Sequence, residues 1–65
     1  MYIKDSTVKR IFKDAGADRI SKEAIHEFAT MVDKIAFESA KKSVNLSKHA
    51  KRKTVYGSDV ELAFK

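Results

Sequence analysis

Apolar residues recur at helical spacing from the start of the chain. The first run, with one apolar residue every three or four positions, comprises Val8, Ile11, Phe12 and Ala15. This spacing places them on one face of an α-helix. Residues 5–7 offer side chains suited to a helix start, and Gly16 stands where a left-handed helix end favours glycine. The pattern predicts a first helix over about residues 6–15.

A longer apolar stripe follows without interruption, through Ile25, Phe28, Ala29, Val32, Ile35, Ala36 and Ala40. Ser21 is a suitable N-cap, and Glu23 in the first turn complements the helix dipole. The chain has no proline and two glycines, so nothing breaks a second helix over about 21–49. Ser58 and Glu61 form a capping-box pattern that predicts a third helix over about 58–64. We therefore expect an all-α single domain of residues 1–65, ordered short helix, long helix, short helix.

The predicted central helix is too long for a compact monomer. At 1.5 Å per residue it extends about 43 Å, whereas a globule of this chain length spans only about 30 Å. Two short flanking helices cannot cover its apolar stripe at both ends. A second copy crossing the first would cover it, so we expect a homodimer. A monomeric three-helix bundle is the alternative, and the unequal helix lengths fit it poorly.

Charge is distributed unevenly. Residues 1–40 hold seven basic and seven acidic side chains, whereas residues 41–65 hold seven basic and two acidic ones. The net charge of +5 therefore belongs to the last part of the chain, and its densest stretch is residues 48–56. A cationic loop after a neutral scaffold favours a polyanionic partner.

Several classes are disfavoured by what the sequence lacks. It has no cysteine and only two histidines, so neither a disulfide nor a zinc site is expected. No apolar run reaches the length of about 18 residues that a membrane span needs, and no signal peptide is evident. No nucleophile with a base, phosphate-binding glycine loop or ligand cluster indicates an enzyme. We expect a cytoplasmic protein with no cofactor and no small-molecule substrate.

Two loop motifs, together with the central helix, resemble those of archaeal histones. They are IFKDAGADRIS at 11–21, and RKTV at 52–55 followed by DVELA at 59–63. The similarity covers about residues 8–64. It implies a histone fold and an intertwined "handshake" dimer, in which the first loop of one protomer lies beside the second loop of its partner.

The resemblance also implies DNA contacts. Arg19 matches an arginine that enters the minor groove, where concentrated negative potential attracts a guanidinium; otherwise it is an exposed residue balancing Asp18. Arg10, Lys53 and Thr54 match further DNA-contacting positions of the family, the last two toward phosphate. The adjoining Lys9 and Lys13, and Lys51, are further candidate DNA contacts. Lys53 has an alternative as a solvated loop charge, and Thr54 as a cap of the following turn.

Two positions depart from the family. Lys51 stands where relatives often have glycine, so a left-handed residue there would cost about 1–2 kcal/mol. A phosphate contact would be the compensation. Tyr56 replaces a common basic residue, which removes one expected phosphate contact.

Further family positions imply structural and assembly roles. Arg52 and Asp59 match a structural salt bridge that braces the second loop, with DNA contact as the alternative for Arg52. Residues matching a contact between stacked dimers are Leu46, His49, Asp59 and Leu62. A simpler interpretation is that His49 is merely exposed to solvent and that Leu46 and Leu62 are ordinary core residues.

The predicted function is therefore sequence-tolerant binding, bending and compaction of double-stranded DNA, on the chromosome, by a homodimer or by stacked dimers. Paralogous histones are possible further partners. The alternative is a histone-fold interaction component of a transcription complex, which would form heterodimers. A helix-turn-helix repressor fits less well, because neither short helix offers base-reading polar residues.

Overall fold

The computed structural model describes residues 2–65, which form three helices and no strand. Helix α1 is Asp5–Asp14, α2 is Lys22–His49 and α3 is Gly57–Ala63. The all-α class and the short–long–short order are confirmed. Each helix begins and ends within one residue of the predicted bounds.

The chain divides into two compact parts, one formed by residues up to Lys34 and the other by Ile35–Lys65. The core of the first part is small and joins α1 to the first turns of α2. Val8, Ile25 and Ala29 are its buried members. The side chains packed against them are Ile3, Phe12, Ile20 and Phe28. The rings of Phe12 and Phe28 meet edge to face, with centroids 4.8 Å apart and planes inclined at 74°, an arrangement that aromatic pairs prefer.

Helix α1 ends on a Schellman motif. The N–H of Ala17 donates to the carbonyl of Phe12 at 2.9 Å, and the N–H of Gly16 donates to that of Lys13 at 3.0 Å. Gly16 has a φ of 107°, a region that a side chain strains. The predicted left-handed end at this glycine is confirmed, and it turns the chain into the first loop, residues 15–21.

Helix α2 ends on the same motif with a different residue. The N–H of Arg52 donates to the carbonyl of Ser47 at 2.9 Å, and that of Lys51 donates to Lys48 at 2.8 Å. Lys51 therefore takes the left-handed position, with a φ of 59°. It is the only residue other than glycine with a positive φ within the described 2–65. The strain anticipated at this lysine is present in the backbone.

The start of α1 differs from its prediction. Lys4 is the N-cap and no side chain caps the helix; Asp5 is instead in the first turn, where its charge complements the helix dipole. The preceding residues are held from α2, because the Asp33 carboxylate accepts the N–H of Tyr2 at 3.1 Å and that of Ile3 at 3.0 Å. The N-terminal segment is thus tied to the long helix by a charge-assisted contact.

The predicted cap of α2 is confirmed, whereas that of α3 is wrong. Ser21 Oγ accepts the N–H of Ala24 at 3.1 Å. The N-cap of α3 is Tyr56, two residues before the expected serine, and Asp59 is the third helical residue. Asp59 Oδ2 accepts the Tyr56 N–H at 2.8 Å, so Asp59 has the role expected of Glu61. Burial decides between the two acids, because Asp59 is 6% exposed and Glu61 is exposed.

The second part of the chain buries polar rather than large apolar side chains. Ser43 and Ser47 are each 2% exposed, and their hydroxyls donate to the carbonyls of Ser39 and Val44, both at 2.8 Å. Much of the apolar surface of α2 and α3 is open, notably at Met31, Ile35, Val44, Val60, Leu62 and Phe64. A single chain therefore leaves the later part of the predicted stripe, Ile35, Ala36 and Ala40, exposed.

Candidate nucleic-acid interface

The first basic group borders the loop after α1. An open groove of about 590 Å³ is lined there by Lys9, Lys13 and Arg19, with Asp18 as the one acid in its lining. Phe12, Gly16, Ala17 and Ile20 complete the lining. The Schellman turn brings the loop back past α1, which is why residues six to ten positions apart share one surface. This group carries three positive charges against one negative charge.

Arg10 does not line this groove. Its Nε lies 4.0 Å from Asp14 Oδ2, in a pair whose side chains are 84% and 73% exposed. Exposed helical pairs of this kind hold a side chain weakly. Arg10 is therefore accessible to solvent. It is not part of the group formed by the three cations that line the groove.

The second loop, residues 50–56, is organised around Arg52. Its Nη1 and Nη2 donate to Asp59 Oδ2 and Oδ1 at 2.9 and 2.8 Å. Nη1 also donates to the carbonyl of Thr54 at 3.0 Å. This two-pronged contact is the strong geometry of an arginine–carboxylate pair. It closes the loop onto the start of α3.

The same contacts set the protonation of Asp59. The hydrogen bonds from Arg52 and from the Tyr56 N–H hold the pKa of Asp59 at about 2, against an ordinary value of 3.8. Conversely, the bond to Asp59 raises the pKa of Arg52. The pair is therefore fully charged at neutral pH, and the guanidinium is committed to bracing the loop.

The other polar residues of this loop face solvent. Lys51, Lys53 and Thr54 are all exposed, and only the backbone carbonyl of Thr54 is used by Arg52. Within the cationic cluster, Arg52 therefore braces the loop, whereas Lys51, Lys53 and Thr54 are accessible hydrogen-bond donors. The positions of Lys53 and Thr54 follow from the brace, because they lie between Arg52 and Asp59. Lys51 is placed by the Schellman motif at the end of α2.

Sequence reasoning missed one contact in this loop. The Arg52 guanidinium carbon lies 4.7 Å from the centroid of the Tyr56 ring, within the range of a cation–π interaction. Loop residues have no periodicity from which such a contact could be predicted. The interaction depends on the way in which the Asp59 contacts fold the loop back.

The four residues matched to a dimer-stacking contact differ in accessibility. Leu46 is half-buried, His49 is exposed and Leu62 is 53% exposed. Asp59 is buried, and both of its oxygens already accept hydrogen bonds within the chain. Oδ2 accepts two of them and Oδ1 one.

Other kinds of site find no support in the described part of the chain. Residues 2–65 contain no cluster of three or more potential metal-ligating His, Cys, Asp or Glu side chains. None of the helices in that range combines the length and hydropathy needed to cross a bilayer. The exposed side chains of Lys51, Lys53 and Thr54 in the second loop are cationic or hydrogen-bond donating.

The sequence matches known proteins over nearly its whole length. The family model for histone-like transcription factors (CBF/NF-Y) and archaeal histones matches residues 1–64. The chain belongs to this histone-fold family. A probable archaeal histone 3 of Methanocaldococcus jannaschii is 54% identical over 56 residues, covering 86% of this chain and 84% of the relative. One of the subunits of the archaeal histone HAN1, from Thermococcus zilligii, is 40% identical over 58 residues, covering 89% and 87%.

Membership of this family identifies the arrangement of the three helices. The short–long–short arrangement is the histone fold, and the archaeal histones of this family are structural DNA-binding chromatin proteins rather than enzymes. The resemblance inferred from the two loop motifs is therefore confirmed.

Proposed function

We propose that this histone-fold chain binds double-stranded DNA with little sequence preference, and bends and compacts it as a homodimer. The observation that carries the proposal is that one cation of the second loop is paired within the chain while its neighbours are exposed. Arg52 is neutralised by Asp59, while Lys51, Lys53 and Thr54 remain exposed beside it. Lysines and hydroxyls presented on a braced loop suit phosphate, which positions a protein on DNA without reading its sequence.

The groove of the first loop supplies the second element. Arg19, Lys9 and Lys13 share its rim, so a guanidinium is accompanied by two ammonium groups. In this proposal Arg19 enters an inward-facing minor groove while the lysines, with Arg10, neutralise the flanking phosphates. Binding of this kind depends on the shape and charge of DNA rather than on base edges.

Exposed apolar surface supports the dimer. Ile35, Leu62 and Phe64 are 54%, 53% and 64% exposed, which is unfavourable in water. An apolar groove of about 390 Å³ is lined by Ala36, Ser39, Ala40, Ser43, Val44, Val55, Val60 and Phe64. We propose that α2 of a second copy fills this groove in the handshake arrangement. The small residues of α2 would let the two helices approach closely.

Stacking of dimers is the next level of the proposal. Leu46 and Leu62 would pack against their counterparts, and the exposed His49 would approach Asp59 of the neighbouring dimer. Asp59 Oδ1 accepts one bond in the chain, which leaves it capacity for another. Such stacks would keep the protein on the chromosome.

Salt titration tests the DNA-binding proposal. Affinity for mixed-sequence duplex DNA, measured by fluorescence anisotropy, should fall by roughly 10³–10⁵-fold between 50 and 200 mM salt if a unit neutralises about six to ten phosphates. Arg19→Ala and Lys53→Ala should weaken binding, whereas Lys34→Ala, an exposed lysine outside both basic groups, serves as the charge-matched control. Strong preference for one sequence, or affinity unaffected by salt, would refute the proposal.

Nuclease digestion tests assembly. Protected fragments that grow in regular steps indicate stacked dimers, and a single short fragment indicates isolated dimers. His49→Ala and Leu62→Ala should shorten the protected lengths without abolishing binding. Unchanged step patterns in both variants would contradict the stacking contact.

A second function is that of a chain that pairs with other histone-fold proteins. It is favoured by the Thermococcus zilligii relative, which is named as one of the subunits of a histone, and by the transcription factors in the family description. Light scattering separates the two: the purified chain alone should be a dimer under the main proposal. A monomer that dimerises only on addition of a paralogue supports the second.

A further inference from the structure

The ring of Tyr56 is held in place from two directions. Its backbone N–H donates to Asp59 Oδ2 at 2.8 Å, and its face lies 4.7 Å from the Arg52 guanidinium carbon. Arg52 is itself clamped by two hydrogen bonds to Asp59. One buried carboxylate thus fixes both the main chain and, through the arginine, the side chain of this tyrosine.

This restrained ring is nevertheless 53% exposed. Full use of a tyrosine in packing would bury most of its surface, and Tyr56 does not line the apolar groove of its part of the chain. It stands two positions from Thr54 and three from Lys53, both exposed. A restrained but open tyrosine therefore lies in the loop assigned to phosphate contact.

We infer that Tyr56 is a further DNA-contacting residue, whose hydroxyl donates a hydrogen bond to a backbone phosphate. The basic contact whose loss is expected from the sequence is then replaced by a neutral one. Tyrosine hydroxyls are regular donors to phosphate oxygen. The Arg52 stack restricts a side chain with only two rotatable bonds, so little conformational entropy is lost on contact. The inference rests on the proposed DNA binding through the second loop and adds to it a neutral donor.

A neutral donor leaves a signature different from that of a lysine. Loss of a phosphate-bound lysine lowers the salt slope by about one, because one fewer counterion is released. Loss of a hydroxyl weakens binding at every salt concentration and leaves the slope unchanged. The comparison of slope with affinity therefore separates the two kinds of contact.

The test compares Tyr56→Phe with Lys53→Gln on one duplex, with Tyr2→Phe as the matched control. Phenylalanine keeps the ring and its contact with Arg52, so the Tm should stay that of the wild type. We expect Tyr56→Phe to weaken binding by about threefold to tenfold with an unchanged salt slope. Lys53→Gln should weaken binding and reduce the slope, and Tyr2→Phe should change neither.

Intrinsic fluorescence gives an independent measurement, because the chain has two tyrosines and no tryptophan. In the Tyr2→Phe variant all emission comes from Tyr56, and it should change as duplex DNA is added. In the Tyr56→Phe variant the emission should be much less affected. Wild-type affinity in Tyr56→Phe, while Lys53→Gln still weakens binding, would overturn the tyrosine contact and leave the proposed function intact. Salt-independent or undetectable binding by the wild type would overturn both.

Discussion

Replacing Lys51 with glycine should stabilise the protein. Lys51 occupies the left-handed position of the Schellman motif with a φ of 59°, and a side chain there costs roughly 1–2 kcal/mol. Glycine removes that strain but gains about 0.4–1 kcal/mol of unfolded-state entropy. The two hydrogen bonds that close the motif, from Lys51 and Arg52, use backbone atoms, so they survive the change. With the middle of each range, the net gain is about 0.8 kcal/mol per chain.

The assay is thermal and urea unfolding of Lys51→Gly at fixed protein concentration, since the Tm of a dimer depends on concentration. For a domain of this size about 1 kcal/mol shifts the Tm by roughly 4–8 °C. Lys53→Gly is the matched control, because it removes the same charge at a position without a positive φ. It should be neutral or destabilising.

The reasoning is refuted if Lys51→Gly unfolds at the same temperature as the wild type or below it. Equal stabilisation by both glycine variants would also refute it, since relief of charge repulsion would then explain the gain. DNA affinity should change in the opposite direction to stability. Under the proposed function, Lys51→Gly should bind DNA more weakly than the wild type while being more stable. That combination would indicate that backbone strain is retained for a phosphate contact.

Three further changes have defined outcomes. Gly16→Ala should destabilise by about 1 kcal/mol in urea unfolding, a purely conformational effect because no atom lies within 4 Å of an added Cβ; an unchanged midpoint would contradict it. Val8→Ala, at a fully buried site, should cost about 2–3 kcal/mol, and a loss below about 0.5 kcal/mol would show that this core is loosely packed. Asp59 has its pKa lowered to about 2 from 3.8, so its contribution to stability is complete above about pH 4 and is lost as the pH falls towards 2. Asp59→Asn should therefore be less stable than the wild type at pH 7, with a gap in Tm that closes in acid; a constant gap would be inconsistent with the ionised pair.

The helices and their ends follow largely from local sequence. Three-to-four-residue periodicity and the absence of proline predict α2, while Ser21 and Gly16 mark its start and the end of α1. Each of these signals acts between residues within one or two turns, so it can be interpreted without knowledge of the fold. Two caps were predicted wrongly, at the start of α1 and at Ser58 of α3. The second failure arose where a contact from outside the helix competes with a local one. Asp59 is drawn into the helix start because it also binds Arg52.

The candidate site was predicted from its motifs rather than from its geometry. The two loop motifs indicated which basic residues belong to the site, but they did not indicate which of these residues are accessible. Arg52 and Lys53 are adjacent and chemically alike, yet one is committed to Asp59 and the other faces solvent. Only the folded loop distinguishes them, because the difference depends on where a carboxylate seven residues away is placed.

By itself, the sequence determined an all-α chain of three unequal helices, a cationic second loop and a central helix with more apolar surface than the chain can cover. The tertiary structure decided the contacts that link distant positions: Asp33 binding the amides of Tyr2 and Ile3, and Arg52 lying between Asp59 and the Tyr56 ring. The physical reason is the range of the forces involved. Helix periodicity and capping are set by neighbours along the chain, whereas a hydrogen bond across a loop forms only after packing has brought its two ends together.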